Sequence, residues 1–245
     1  VMSKLNKAQR SFLERMFGER VNFSKIERKL YGHDIAAVPS IIKPIIGNTI
    51  PDAVVQPETE EELVKLVHWA VRNKIAITPR GKATSGYGGV LPIKNGVVID
   101  FYRMKAIKSV DPEKMTVTVE AGVVWEKLDK ELAKHGLSLK LYPSSYPSAT
   151  VGGWLAQGGA GIGSFEAGWF RDNVISARVV MLSGEVREFR EKDLDLIYAA
   201  EGITGLISQI TLYVQRLEEI EVAAIGCPHA DDLQQMVQAI IDREL

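Results

Sequence analysis

The apolar positions of the first thirty residues recur at helical spacing. Leu5, Phe12, Leu13 and Met16 fall on one side of Ser3–Phe17, which predicts an amphipathic helix stopped by Gly18. A second helix is expected over about Phe23–Leu30, with Ser24 and Glu27 placed as a capping box. Pro39, Pro44 and Gly47 make Tyr31–Thr49 an irregular connector. Then the period changes. Ala53–Gln56 is a short strand, and Thr59 and Glu62 form another capping box. Leu63, Leu66, Val67, Ala70 and Val71 give the buried stripe of a helix running to about Asn73. Ile75–Thr78 is the next strand, completing a β-α-β unit. A glycine-dense loop, Arg80–Gly89, follows it directly.

Val97–Asp100, Ile107–Val110 and Thr116–Glu120 read as strands, and Val124–Lys134 as a helix ended by His135 and Gly136. A Pro/Ser stretch, Tyr142–Ser148, leads into the very glycine-rich segment Gly152–Gly168. Val174–Leu182 and Val186–Phe189 pair as a hairpin around Ser183-Gly184. Leu194–Ala200 reads as a short helix and Leu206–Val214 as a strand. The charged run Arg216–Glu221 marks a boundary, after which Val222–Leu245 offers a strand-like piece and one amphipathic helix. That is too little for a domain and reads as the opening of another. The expected division is a helical lead-in at 1–48, a main domain at 49–216 and the start of a further domain at 217–245.

Composition changes this picture little. The 245 residues are 46% hydrophobic and 25% charged, an ordinary globular profile. A net charge of -1 gives no overall nucleic-acid footprint. Residues 1–48, however, carry nine Lys/Arg against four Asp/Glu, so the lead-in is near +5. A solvated helical face explains that excess, and docking to a partner or an anionic surface is the alternative. Cys227 is the single cysteine, so an internal disulfide, a CxxC pair or a Cys-ligated iron–sulfur cluster within these residues is excluded. No stretch reaches the roughly 18 apolar residues that span a bilayer. The expectation is a cytoplasmic protein, at most peripheral to a membrane.

Two loops carry the candidate chemistry, 79–89 and 149–163. Glycine lets backbone turn tightly and approach a ligand closely, and successive N–H groups form an anion-binding concavity. Two such loops suit a pyrophosphate, although glycines also simply mark turns. Gly159-Ala160-Gly161-Ile162-Gly163 begins like a dinucleotide fingerprint, but Ser164 breaks it and no strand precedes it. Gly81-Lys82 fails as a P-loop because Ala83 follows and Ala76 stands where the first glycine belongs. His33, His68, His135 and His229 lack metal-ligand spacing, no GxSxG elbow is present, and Cys227 has no catalytic context. A phosphate cradle without acid–base or nucleophilic residues points to a cofactor that carries the reaction.

At these residues the sequence resembles the vanillyl-alcohol oxidase/p-cresol methylhydroxylase flavoprotein superfamily, most of all its glycolate oxidase and D-lactate dehydrogenase FAD subunits. The likeness spans about Tyr31–Arg216. It rests on Tyr31-Gly32-His33-Asp34, Pro51–Pro57, Pro79-Arg80-Gly81 with Thr84-Ser85, Pro143 with Ala149–Gly153, Gly168 with Asp172-Asn173-Val174, Ser183–Val186, and Glu201–Ile207. The resemblance implies an α+β, two-subdomain FAD-binding fold: a small β-α-β subdomain and a larger mixed-sheet subdomain with FAD between them. By the same resemblance Arg80, Gly81, Lys82, Ala83, Thr84 and Ser85, then Ala149, Thr150, Gly152 and Gly153, hold the pyrophosphate through backbone amides, and Gly88, Pro143 and Ser148 also border the cofactor. Gln157, Gly158, Gly161 and Gly163 run beside the flavin, and Gly202, Leu206 and Ile207 meet the cofactor through main chain. Lys82-Ala83 departs from the usual Gly-Gly, so Ala83 takes a negative φ or carries mild strain. Glu166-Ala167 also departs from the usual Arg/Lys-Tyr pair. Thr84 stands where some members attach FAD through histidine, so non-covalent FAD is expected.

The implied reaction oxidises a small 2-hydroxy acid. Hydride leaves the substrate's α-carbon for the flavin, and electrons pass to an iron–sulfur protein, a quinone or another flavoprotein. The base and substrate-binding arginines are expected in a cap domain beginning near Arg216, so no catalytic residue is named. The alternatives are an alcohol or phenol oxidase of the same superfamily, or a flavin electron-transfer module whose substrate site lies on another chain. A nucleotide-binding protein without redox chemistry is the remaining class.

Overall fold

The computed structural model describes residues 4–36 and 39–243. The lead-in folds as helix α1 (Lys7–Phe17), a two-residue strand β1 (Val21–Asn22), helix α2 (Lys25–Leu30) and a single turn α3 (Lys43–Ile46). Asn6, not Ser3, starts α1, through a capping box with Gln9; the expected start at Ser3 lies outside the described residues. Ser24 does precede α2, but its side chain makes no cap. The Ser24 N–H that Glu27 would have to engage is taken by Asn22 Oδ1 at 2.7 Å, so the expected box does not close.

The β-α-β unit comprises β2 (Ala53–Val55), α4 (Glu60–Asn73) and β3 (Ile77–Arg80), with β4 (Val97–Asp100) inserted between its strands. The sheet runs β1-β2-β4-β3, with β2, β4 and β3 parallel and β1 antiparallel at its edge. β3 lies two residues later than the apolar pattern suggests, which places Arg80 at its end and starts the first glycine loop there. In α4, Leu63, Leu66, Val67 and Ala70 are buried as expected, but Val71 is 51% exposed and Trp69 is buried in its place. Trp69 stacks on Phe12 of α1, ring centroids 5.1 Å apart, so the lead-in helix widens the buried face of α4. Thr59 accepts from the Glu62 N–H at 3.2 Å, but the Glu62 carboxylate turns to Arg20 and the Glu58 N–H, leaving half of the expected box.

The second sheet holds β5 (Ile107–Asp111), β6 (Thr116–Glu120), β8 (Val174–Val180), β9 (Val186–Arg190) and β10 (Leu206–Tyr213), in the order β5-β6-β10-β8-β9. All its pairs are antiparallel, so the α+β class holds but the mixing of strand directions lies in the smaller sheet. Between β6 and β8 come α5 (Trp125–Ala133), β7 (Leu137–Ser138), α6 (Val151–Gln157) and α7 (Ser164–Ala167). β7 pairs with β11 (Gln215–Arg216) after the last long strand. The expected helix at Leu194–Ala200 is instead a 3-10 helix over Glu191–Leu196. No strand forms over 218–229, where no residue is buried. The chain then enters α8 (Ala230–Asp242), which buries no residue among those described.

Candidate active site

The first loop leaves the carboxyl end of β3, the position at which parallel sheets present ligands. The lead-in clasps both ends of this loop. Arg80 donates to the carbonyls of His33 (2.8 Å), Leu30 and Tyr31 (both 3.4 Å), and its guanidinium lies 5.2 Å from the centre of the Tyr31 ring. Burial lowers the Arg80 pKa, opposed by the fields of Asp100, Tyr31 and Asp34. Asp100, itself buried, accepts from Tyr31 Oη at 2.9 Å and Gln56 Nε2 at 2.8 Å. Burial first, then Asp100, pushes the Tyr31 hydroxyl up to about 12. At the far end of the loop, buried Asp34 accepts from the Gly88 N–H at 2.7 Å.

Between these anchors the N–H groups of Gly81, Lys82, Ala83, Thr84 and Ser85 meet no acceptor among the described residues. Ala83 is held at φ +53°, the left-handed region, so of the two alternatives it takes the strained one. The Lys82 ammonium lies 4.7 Å from the centre of the Tyr102 ring, beside Lys105 at 4.1 Å.

The second loop meets the first. A Cβ on Gly81 would collide with Thr150 Oγ1, so glycine lets the capping Thr150 side chain pack against the first loop's backbone. Thr150 caps α6 by accepting from the Gly153 N–H at 3.1 Å. The N–H groups of Val151 and Gly152 donate to the carbonyls of Val123 and Ala121, both at 2.9 Å. The amides of Val151–Gly153 are therefore already bonded. Of the amides expected at the pyrophosphate, those of the first loop are open donors, whereas those of Val151–Gly153 have partners within the protein and form a helical wall.

Together the loops border a solvent-open cleft with about 880 Å³ of empty space. Of the expected residues it brings together Arg80, Gly81, Lys82, Ala83, Thr84, Ser85, Ala149, Thr150, Gly152, Gly153, Gln157, Gly202 and Ile207. Gly88, Pro143, Ser148, Gly158, Gly161, Gly163 and Leu206 do not line it. The Gly88 amide serves Asp34, and the Ser148 N–H turns back to the Ser145 carbonyl. Pro143 and Leu206 are buried. Gly158 packs against Ala199, while Gly161 and Gly163 lie against the backbone of Tyr142 and Lys140. Sequence reasoning missed Glu201, which lines the cleft and reaches Gly89, and the neighbouring Ser145, Phe101 and Gly205. Glu201 stands in the motif Glu201–Ile207, the one signal that could have marked it. Beneath α6, Trp154 stacks on Phe170 with centroids 4.2 Å apart, and Trp125 packs edge-on to both, giving this wall a rigid base.

Residues 51–190 match the family model described as FAD binding domain. The chain is 38% identical to the mitochondrial D-lactate dehydrogenase [cytochrome] of Arabidopsis thaliana, over 72% of this chain and 32% of that protein. It is 28% identical to the glycolate oxidase subunit GlcD of Bacillus subtilis, over 78% of this chain and 41% of that one. A solved structure of alkyldihydroxyacetonephosphate synthase superposes on all of this chain and 51% of its own, with a TM-score of 0.87 and 26% identity. The chain thus spans about a third to a half of the length of these relatives. Among the described residues, no helix is long and apolar enough to cross a membrane.

Proposed function

The chain belongs to the FAD binding domain family, and from that premise we propose that it forms the FAD-binding part of an oxidoreductase acting on a small 2-hydroxy acid such as glycolate or D-lactate. One observation carries the reading. A row of unbonded amides, Gly81–Ser85, faces a helical wall across a cleft that both glycine loops line. Such an array suits a pyrophosphate, whose charge spreads over two phosphorus centres.

In this reading FAD supplies the two-electron acceptor chemistry. The chain's own residues bind and orient it. Gly81–Ser85 donate to the pyrophosphate, α6 closes the opposite side, and Ile207 of β10 and Gly202 in the turn before it border the cleft. Thr84, a half-buried residue of the first loop, has no imidazole to bond the flavin, so attachment is non-covalent. Residues 49–216 form the FAD domain, and 217–245 lead into a cap that binds substrate. The electron acceptor is a separate carrier: an iron–sulfur protein, a quinone or another flavoprotein.

The likeness to alkyldihydroxyacetonephosphate synthase over the whole chain favours a second reading, in which the same FAD domain serves a synthase of that type. The purified chain is expected to show an oxidised-flavin absorbance spectrum and to release all its flavin on acid precipitation. Flavin that stays with the precipitated chain refutes non-covalent binding, and a colourless protein that fails to take up FAD refutes the domain assignment. D-lactate or glycolate is expected to bleach the flavin of the full-length protein; no bleaching by either removes these two substrates and leaves the synthase, the alcohol or phenol oxidase and the electron-transfer module.

A further inference from the structure

A second cleft, with about 1000 Å³ of empty space open to solvent, shares no lining residue with the first. Its charged wall comes from Lys4, Arg10 of α1, and Lys25 and Arg28 of α2; Asp52 is the single carboxylate in its lining. Elsewhere the arginines of the fold pair readily, as in Arg20 with Glu62 and Arg178 with Glu60. Among the described residues, none of these four cations has a carboxylate within 4.0 Å. Four cations against one carboxylate leave the lining at +3.

The walls are built rather than loose. Arg28 donates from Nε to the Phe23 carbonyl at 3.1 Å and from Nη1 to the Pro51 carbonyl, which fixes its fork and leaves Nη2 unengaged. The Arg10 guanidinium stacks over the Phe23 ring at 4.6 Å. Asn95 ties the opposite side by donating to the carbonyls of Asn48 (2.8 Å) and Ile50 (2.9 Å). Cations converging on one concavity repel one another and raise the local concentration of anions. The free Nη2 of a fixed arginine, beside a second guanidinium and two flexible ammonium groups, matches the several oxygens of a phosphate better than the two of a lone carboxylate.

We infer that this cleft is an anion site, separate from the FAD site, for a compound whose phosphate groups carry two or more negative charges. That chemistry has two sources, a soluble phosphate compound or a phospholipid headgroup. On α2 the exposed Ile26 and Leu30 lie on the side away from Lys25 and Arg28 at 100° per residue, so the soluble source is the expected one.

The test uses the FAD-loaded protein, which keeps the probe out of the cofactor site, with inorganic pyrophosphate titrated calorimetrically at constant ionic strength. Saturable binding is expected, weakened about tenfold or more in the Arg10→Gln/Lys25→Glu variant. Both side chains are exposed, so FAD content and melting temperature stay as in the parent. Sedimentation with vesicles of phosphatidylcholine and phosphatidic acid in equal parts, whose phosphomonoester can carry two charges, separates the sources. If the parent sediments and the variant does not, the phosphate is a lipid's; if neither sediments while pyrophosphate binds, the ligand is soluble. No saturable binding to either probe, or binding that the variant retains, overturns the site.

Discussion

Single residues decide whether the two loops can meet. Gly81→Ala places a methyl where Thr150 Oγ1 sits, so one loop must retreat. The expected outcome is a loss of about 1–3 kcal/mol of stability, with FAD affinity falling alongside it, read by thermal melting and flavin titration. Ala83 gives a contrasting case. Its φ of +53° penalises any side chain, and a β-branched one most. Ala83→Gly is expected to stay within about 1 kcal/mol of the parent, because strain relief offsets the looser unfolded chain. Ala83→Val is expected to lose FAD binding; a variant that binds FAD normally shows that the loop does not need this conformation. The same scale shows what glycine density conveys. It marked both loops, but it could not separate Gly81, at the meeting of the loops, from Gly158, Gly161 and Gly163, which serve close packing elsewhere. The bond from Gly88 to Asp34 was beyond reach too, since the two lie 54 positions apart and no local pattern joins them.

At the scale of elements, α4 couples three parts of the molecule through its first turn. Glu62 pairs with Arg20 of the lead-in at 2.6 Å, and Glu60 pairs with Arg178 of β8 at 2.6 Å while accepting from Ser208 of β10. The hydrogen bond from Arg178 leads in lowering the Glu60 carboxyl, and that from Arg20 in lowering Glu62. Both groups are more acidic folded than unfolded. Their contribution is therefore complete above the ordinary value of 4.5 and disappears as pH falls through the lower folded values. The Glu60→Gln/Glu62→Gln variant is expected to lose about 1–2 kcal/mol at neutral pH, kept small by the half-exposure of Arg178, and to approach the parent in acid. A loss that persists unchanged at pH 3 assigns the effect to packing instead. The strand and helix pattern made α4, β4, β6, β8 and β10 legible, but α6 was not. Gly152 and Gly153 each cost a helix roughly 0.5–1 kcal/mol, so local preference reads this segment as loop. Gly152 is there because a Cβ would stand 2.5 Å from that of Ala121, a contact between distant segments. The two-residue strands β1, β7 and β11 are too short to show a period at all.

Across the whole molecule, the two sheets share one buried core, and the cleft opens along the two glycine loops, the first of which joins β3 to β4 and the second of which leads into α6. The class of fold was readable because the β-α-β unit and the hairpins each have local signatures. The order β5-β6-β10-β8-β9 was not, since it depends on which distant strands satisfy one another's ladders. The packing changes near Arg216. β11 pairs with β7, the Leu217 N–H donates to the Gly136 carbonyl at 2.9 Å, and beyond them the described residues bury nothing. Even on α8 the apolar Leu233, Val237 and Ile241 stay 44–48% exposed. Removing 218–245 should therefore leave the melting temperature within about 2 °C of the parent, since 1 kcal/mol shifts a domain of this size by about 2–4 °C. The truncated chain should also keep the rise in melting temperature that excess FAD produces by mass action. A drop of many degrees, or loss of that FAD-dependent rise, would place α8 among the elements that hold the cofactor domain together.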